Sequence, residues 1–259
     1  MPKKPNAFSS IGRSNMYGKP IAVLFGASGG IGSSLARSLS NEGWRLLLAG
    51  RSLDRLKAIE EADAELIQAD ATDPDDVANA FRHAREMEGY VAGAVNLLGN
   101  LLLKPAHRTS MEEWNDVLHV NLTSSFNVLK HAVSSLHEDG GSLVFMSSAA
   151  ADVGLPNHEA IAAAKSGVEG LVRSGAASYA PKSIRINAVA PGLVRTPMTA
   201  SITSSPPMLK ASTAMHPLGR IGEPGDIASA ITWLLNPNTR WVTGQVIRVD
   251  GGLSRIKPR

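Results

Sequence analysis

The stretch Gly26-Ala27-Ser28-Gly29-Gly30-Ile31-Gly32 decides the fold of this chain. It follows an apolar run at 21–25 and opens a pattern in which Ile31, Leu35 and Leu39 recur every four residues, as on one face of a helix. Glycine permits a tight turn and a close approach of a ligand to the main chain, and the free amides at a helix start favour phosphate. The stretch therefore predicts a strand, a dinucleotide-binding turn and a helix in direct succession.

Short apolar runs alternate with helical patterns along the rest of the chain. Most runs are continuous rather than alternating, as expected for strands that are covered on both faces. The predicted strands are 21–25, 45–49, 65–69, 91–97, 142–146, 184–189 and 245–249. This order predicts an α/β fold, a single Rossmann-like doubly wound parallel sheet of about seven strands with helices on both faces. Residues 1–18 are predicted to be a flexible polar tail, and 19–259 to be the domain.

The composition excludes several classes of function. The formal net charge of +3 is too small and too evenly spread after residue 20 to indicate a nucleic-acid partner. No apolar run reaches the about 18 residues that predict a membrane span, and no signal peptide is apparent. Cysteine is absent, and the histidines lack ligand spacing, so we predict no metal site. We expect a cytoplasmic protein that acts on a small molecule.

The end of the second predicted strand bears on the choice of dinucleotide. NAD sites place an acidic residue here to accept a hydrogen bond from the ribose 2′-hydroxyl, whereas a basic residue can pair with the 2′-phosphate of NADP. The sequence is Gly50-Arg51-Ser52, so we predict NADP(H) in preference to NAD(H). An alternative stays open, in which Arg51 is a solvated loop residue near Asp54.

The order of motifs resembles the short-chain dehydrogenase/reductase family from about residue 19 to residue 253. The resemblance rests on the GxxxGxG spacing, on Ser147-Ser148, Asn121 and Lys165, and on Pro191-Gly192-Leu193-Val194-Arg195-Thr196-Pro197. Two departures occur: Phe25 precedes the first glycine where the family usually has threonine, and Asn96-Leu97-Leu98-Gly99 stands where Asn-Asn-Ala-Gly is typical. The resemblance implies hydride transfer between nicotinamide and a small carbonyl or unsaturated substrate.

The resemblance also implies most of the cofactor contacts. Asp70-Ala71 would contact the adenine, and the strand end at Asn96 would line the adenosine-ribose side. Val194 would bond the carboxamide through its backbone, and Thr196 would reach the amide or a phosphate. The predicted cofactor-binding residues are Gly26, Ser28, Gly29, Gly30, Ile31, Gly32, Arg51, Ser52, Asp70, Ala71, Asn96, Leu97, Leu98, Lys165, Pro191, Gly192, Val194 and Thr196.

The catalytic set implied by the resemblance lacks one member. In the family a tyrosine hydroxyl supplies the proton, a lysine four residues later lowers its pKa and holds the nicotinamide ribose, a serine positions the substrate oxygen, and an asparagine fixes a water. Lys165, Ser148 and Asn121 match these positions. Ile161 stands where the tyrosine is expected, and isoleucine has no proton to give.

Three hypotheses account for the missing hydroxyl. In the first, His158 donates the proton, because it lies one helical turn before Ile161 and imidazole titrates near neutral pH; it could instead be a solvated residue at a helix start capped by Asn157. In the second, a water ordered by Ser148, Asn121 and Lys165 donates. In the third, the chain is a catalytically impaired NADP(H)-binding protein with a structural or sensing role.

Segment 198–220 is predicted to be a structureless lid over the substrate, because it is rich in Ser, Thr, Pro and Met. Met198, Met208, Met215 and His216 would shape the pocket, and a mobile surface insertion is the alternative. The helices predicted at 121–137 and 157–179 resemble those that pair between subunits of the family. A homotetramer or homodimer is therefore expected.

Overall fold

The computed structural model describes residues 18–59, 61 and 63–257, so the tail predicted at 1–18 lies outside the described residues except for Gly18. Its sheet has seven strands, all parallel, in the order β3-β2-β1-β4-β5-β6-β7. The strands are β1 (Pro20–Phe25), β2 (Arg45–Gly50), β3 (Ala64–Gln68), β4 (Tyr90–Asn96), β5 (Gly141–Met146), β6 (Ile184–Pro191) and β7 (Val246–Val249). The predicted fold class is confirmed, with each strand within two residues of its predicted bounds.

Helices cover both faces of this sheet. They are α1 (Gly30–Asn41), α2 (Leu53–Lys57), α3 (Pro74–Glu86), α4 (Met111–Leu118), α5 (Ser124–Ala132), α6 (Glu159–Tyr179), α7 (Ala200–Thr203), α8 (Pro206–Met215) and α9 (Pro224–Leu235). In the described part of the chain, no helix combines the length and apolar character that a membrane crossing requires.

Strand β1 divides its side chains between two hydrophobic clusters, because successive residues of a strand point to opposite faces. Ile21, Val23 and Phe25 are buried in the cluster that includes apolar residues of α3, α5 and α6. Ala22 and Leu24 are buried in the cluster formed with α1, α2 and α9. A strand that is apolar at every position therefore needs helices on both sides, which is the layer order observed.

The turn between β1 and α1 is held tight by its glycines. Gly26 has a φ of +78°, in the left-handed region that favours glycine. A Cβ on Gly32 would lie 2.5 Å from Ala27 O, so any side chain there would strain the first turn of α1. The helix can consequently start within five residues of the strand end.

Two helices differ from their predicted bounds. The helix predicted at 121–137 begins earlier, at Met111, where the side chain of Ser110 accepts from Glu113 N and the Glu113 side chain accepts from Ser110 N. It continues through a π-helical turn, His119–Thr123, into α5 and ends at Ala132. Helix α6 begins at Glu159 rather than after a cap at Asn157, because Asn157 adopts a φ of 65°.

Segment 198–220 is not structureless, and that part of the prediction is wrong. It contains α7 and α8, and Pro206 occupies the first position of α8. Proline is compatible with a helix there because its fixed φ suits the first turn, where its missing amide hydrogen has no partner to lose. The Ser- and Pro-rich composition concealed a helix start.

We expect Gly32→Ala and Gly170→Ala to change stability in opposite directions. Gly170 lies inside α6 with open space around it, so an alanine there should stabilise the protein by about 0.5–1 kcal/mol. The methyl group at position 32 should destabilise it by about 1–3 kcal/mol through overpacking. Urea unfolding of both variants measures this, and equal effects would contradict the close approach of α1 to its preceding turn.

Candidate active site

A cavity of about 710 Å³ opens at the carboxyl ends of four strands, β1, β4, β5 and β6. In a parallel sheet these ends lie at one edge, and ligands bind in the crevice where the strand order reverses, here between β1 and β4. Residues that follow these four strands line the cavity, among them Gly26, Leu97, Ser148 and Gly192. Segments far apart in sequence therefore meet at one site.

The glycine turn forms one wall of this cavity. Of the predicted residues, Gly26, Gly29, Gly30, Ile31 and Gly32 line it. No side chain caps the start of α1, and its first turn contains no acidic residue, so its amides and positive dipole end stay available to an anion. This wall fits a diphosphate.

The end of β2 contributes a basic residue that the sequence prediction missed. Arg55, on α2, lines the cavity and donates from Nη2 to Ser28 O at 3.4 Å. Arg51 is exposed and Ser52 receives a hydrogen bond from Arg55 N, and neither lines the cavity. Ser52 at the helix start was the signal that could have identified Arg55, since the first turn of the following helix lies beside the end of β2.

Asn96 is placed differently from the prediction. Its side chain is buried, and its Nδ2 donates to Ser124 Oγ at 2.9 Å and to Ser125 Oγ at 3.1 Å. Its Oδ1 accepts from Leu98 N at 3.2 Å, so Asn96 ties β4 to α5 instead of lining the cavity. Leu97 and Leu98 line the cavity as predicted.

Asp70 and Ala71, predicted at the adenine, lie outside the walls of this cavity. The Asp70 carboxylate accepts from Thr72 N at 2.9 Å and from Thr72 Oγ1 at 2.8 Å. One of its oxygen atoms is thus used within its own turn, while Oδ2 is left for another donor.

The turn after β6 lies directly against the glycine turn. Pro191, Gly192, Val194 and Thr196 all line the cavity. A Cβ on Gly30 would be only 3.2 Å from the Thr196 methyl group. The two predicted cofactor segments are therefore in contact.

Lys165 reaches the same cavity from α6. Its side chain is buried, and its Nζ donates to Met146 O at 2.9 Å. Burial disfavours the charged form and lowers the pKa of Lys165 from 10.5 to about 8. An amine with this pKa can exchange a proton near neutral pH.

Asn121 faces Lys165 because of the π-helical turn between α4 and α5, a deformation that often marks functional sites. Its side chain is fully buried, and Nδ2 donates to Val117 O at 2.9 Å. Its Oδ1 has no hydrogen-bond partner among the described residues. A buried amide oxygen of this kind is normally paired, so the unsatisfied Oδ1 is an unusual feature of the region around Lys165.

Ser148, His158 and Ile161 complete the group around Lys165. Ser148 accepts from Ala150 N at 3.2 Å and lines the cavity. His158 also lines it, with Nδ1 2.8 Å from Pro156 O. Since a carbonyl oxygen only accepts, Nδ1 carries a hydrogen atom, and Nε2 is the ring nitrogen that can bond a ligand in the cavity. Ile161 is buried against Val117 and supplies an aliphatic wall.

Residues of segment 198–220 line the cavity, and its role as a lid stays a prediction. Met198, Met208 and Met215 all line the cavity. His216, at the end of α8, donates from Nδ1 to Ser212 O at 2.7 Å and accepts from Leu193 N at 3.2 Å. This imidazole joins the segment to the turn after β6.

Known proteins share this fold and this order of motifs. A family model described as enoyl-(acyl carrier protein) reductase matches residues 26–254. The chain is 34% identical over 249 residues to 3beta-hydroxysteroid dehydrogenase 1 of Eggerthella lenta, covering 93% of this chain and 95% of that one. A solved short-chain type dehydrogenase/reductase from Mycobacterium ulcerans matches with a TM-score of 0.88 at 30% identity, covering 92% and 91%. A variant of actinorhodin polyketide ketoreductase, solved with NADPH, matches with a TM-score of 0.86 at 29% identity, covering 92% and 98%.

Lys165→Met should stabilise the cofactor-free protein at pH 7 by about 3 kcal/mol, because it removes a buried cation. The unfolded chain keeps this proton up to pH 10.5 while the folded chain releases it near pH 8, so wild-type stability rises with pH between these values. The higher free energy of unfolding of the variant is therefore fully present below pH 8 and disappears as the pH approaches 10.5.

Chemical denaturation across this pH range measures the difference in free energy of unfolding between wild type and Lys165→Met. Lys210→Met, at an exposed lysine of α8, is the matched control and should show no such pH dependence. A constant difference between wild type and Lys165→Met at all pH values would contradict the lowered pKa of Lys165.

Proposed function

We propose that this chain, which belongs to the short-chain dehydrogenase/reductase family, is an NADP(H)-dependent oxidoreductase acting on a carbonyl or unsaturated substrate. The observation that carries this proposal is the convergence on one cavity of the glycine turn with Lys165, Ser148 and His158. A diphosphate site and a set of proton-handling groups are the two parts that such a reaction needs from a protein.

The residues present fit the dinucleotide. Uncapped amides at the start of α1 suit the diphosphate, and the amine of Lys165 suits a ribose hydroxyl. Val194 and Thr196 would contact the nicotinamide amide, as the family resemblance implies. NADPH, when bound, supplies the hydride. The protein positions the substrate and the cofactor, donates the proton and excludes water from the site.

Preference for NADP(H) rests on two guanidinium groups. Arg51 and Arg55 lie at and just after the end of β2, and Arg55 is anchored to Ser28 O beside the glycine turn. The nearest acidic residue of this region, Asp54, is exposed and pairs with Lys57 at 3.4 Å. Paired arginines recognise a phosphate strongly, whereas nothing here would accept from a 2′-hydroxyl in its place.

For a carbonyl substrate, the carbon receives the hydride, the oxygen receives one proton, and the products are an alcohol and NADP⁺. Ser148 can donate a hydrogen bond to the carbonyl oxygen, since its own oxygen already accepts from Ala150 N. We assign the proton to Nε2 of His158 in its imidazolium form, because Nδ1–H is committed to Pro156 O, and the ring is neutral after the transfer. His158 is only partly buried, so solvent can restore its proton.

The substrate is an uncharged, largely apolar molecule. Leu101, Leu103, Leu155, Ile161, Met198, Ile202, Met208 and Met215 form the wall away from the glycine turn. Arg55 lies at the cofactor end of the cavity and Lys165 is committed to Met146 O, so among the described lining neither the guanidinium nor the ammonium group is placed to receive a carboxylate at that wall. Relatives named for a hydroxysteroid and a polyketide support an alicyclic ketone.

Replacing His158 with Gln should lower kcat for uncharged cyclic ketones by a factor of about 10²–10⁴, because this is the usual contribution of a general acid to the rate. NADPH absorbance measures turnover, and His107→Gln, at an exposed histidine outside the cavity, is the control. Full activity in His158→Gln would eliminate this residue as the donor. Absence of turnover in the wild type, together with turnover in Ile161→Tyr, would favour the catalytically impaired cofactor-binding protein.

Arg55→Ala should weaken NADPH binding by about 10- to 100-fold while leaving NADH binding unchanged, because only the 2′-phosphate contact is lost. Arg51→Ala should act in the same direction. Lys57→Ala, on the same helix but paired with Asp54, serves as the control for a general loss of positive charge. An unchanged NADPH-to-NADH affinity ratio in both arginine variants would refute the cofactor preference.

A further inference from the structure

A chain of side chains leads from the surface of α4 into the cavity. Asp116 is exposed, and its Oδ2 accepts from Asn100 Nδ2 at 2.6 Å. Asn100 Oδ1 in turn accepts from Asn121 Nδ2 at 2.6 Å. The chain ends at Asn121 Oδ1, which is buried and has no partner among the described residues. A surface carboxylate is thus connected to a buried amide.

The carboxylate at the outer end sets the direction of both amides. An ionised carboxylate only accepts hydrogen bonds, so it must face the NH₂ group of Asn100. Asn100 therefore presents its carbonyl oxygen inward, where it must face the NH₂ group of Asn121. Val117 O, also an acceptor, favours the same orientation of Asn121 at 2.9 Å.

The inner end of the chain faces Lys165. A Cβ placed on Gly99 would lie 3.0 Å from Asn121 Oδ1 and 3.7 Å from Lys165 Nζ, so both atoms border one small space. Burial is the cause of the lowered pKa of Lys165, and no charged side chain contributes to it. Local dipoles consequently have a large influence on this amine.

We propose that Asp116 and Asn100 are positioning residues that hold the carbonyl oxygen of Asn121 toward Lys165. An oxygen in that position favours the ammonium form of Lys165, and this form can donate a hydrogen bond toward the substrate. The opposite orientation would present an NH₂ group and favour the neutral amine. The role of Asp116 and Asn100 in turnover rests on the proposed function, whereas their effect on the orientation of Asn121 does not.

Solvent cannot replace Asp116 in this role. Water both donates and accepts, so it satisfies Asn100 equally well in either orientation. Removal of the carboxylate leaves the outer amide unbiased, and a reversed Asn100 would set its NH₂ group against that of Asn121. Part of the population would then lose the inner hydrogen bond.

The test measures the acid dissociation constant of Lys165 directly, by NMR of lysine labelled at Cε in cofactor-free protein. The Lys165→Met variant assigns the signal. Asp116→Leu and Asn100→Ala should raise this constant about threefold to tenfold, the range expected for loss of one oriented hydrogen bond. Asp116→Glu, whose carboxylate can only accept, should keep a constant close to the wild-type one. Glu112→Leu removes an exposed carboxylate one turn earlier on α4 and should change nothing.

A constant in Asp116→Leu equal to that in Glu112→Leu would overturn the proposal, as would equal shifts in Asp116→Leu and Asp116→Glu. Asp116 is exposed, so these variants should fold, and thermal unfolding verifies it. In assays well above pH 8, where the ammonium form of Lys165 is scarce, kcat should fall by about the same factor with KM unchanged, and near pH 7 the fall should be smaller. Lack of turnover in the wild type would refute the proposed function alone, because the NMR constants do not depend on it.

Discussion

The parallel direction of all seven strands is the constraint on which the site depends. It brings the glycine turn after β1, the Ser148 turn after β5 and the turn after β6 to one edge of the sheet. The apolar character of β1 at nearly every position enforces this arrangement, because both of its faces must be covered. Helix α6 then delivers Lys165 and His158 to the same edge, so the cofactor and proton-handling groups share one cavity.

Burial of the Lys165 amine gives the site its chemical character. A buried cation is costly, and the hydrogen bond that the described structure gives this amine is to the backbone carbonyl of Met146 rather than to a carboxylate. Ile161 is an aliphatic neighbour, and no phenol lies among the described residues that line the cavity beside this amine. In the proposed reaction Lys165 therefore holds the cofactor, and Nε2 of His158 serves the substrate.

Local patterns predicted much of this arrangement, and long-range contacts determined the remainder. The glycine turn and continuous apolar strands are local signals, so the sheet followed from the sequence, whereas Lys165 and Ser148 were expected at the site from the family resemblance, and both line the cavity. Asn96 was misplaced because its orientation depends on Ser124 and Ser125, far along the chain. The connection of Asn100 and Asp116 to the site also arises only from folding, since it requires the π-helical turn at Asn121.

Calorimetric titration of NADPH into the folded wild-type protein and into Lys165→Met tests the central claim, that a dinucleotide held by the glycine turn lies against the buried amine. The account predicts one equivalent bound by the wild type and affinity at least about tenfold weaker in the variant, as for loss of a hydrogen bond to a charged group. No heat with the wild type, or equal affinity in both proteins, would contradict it.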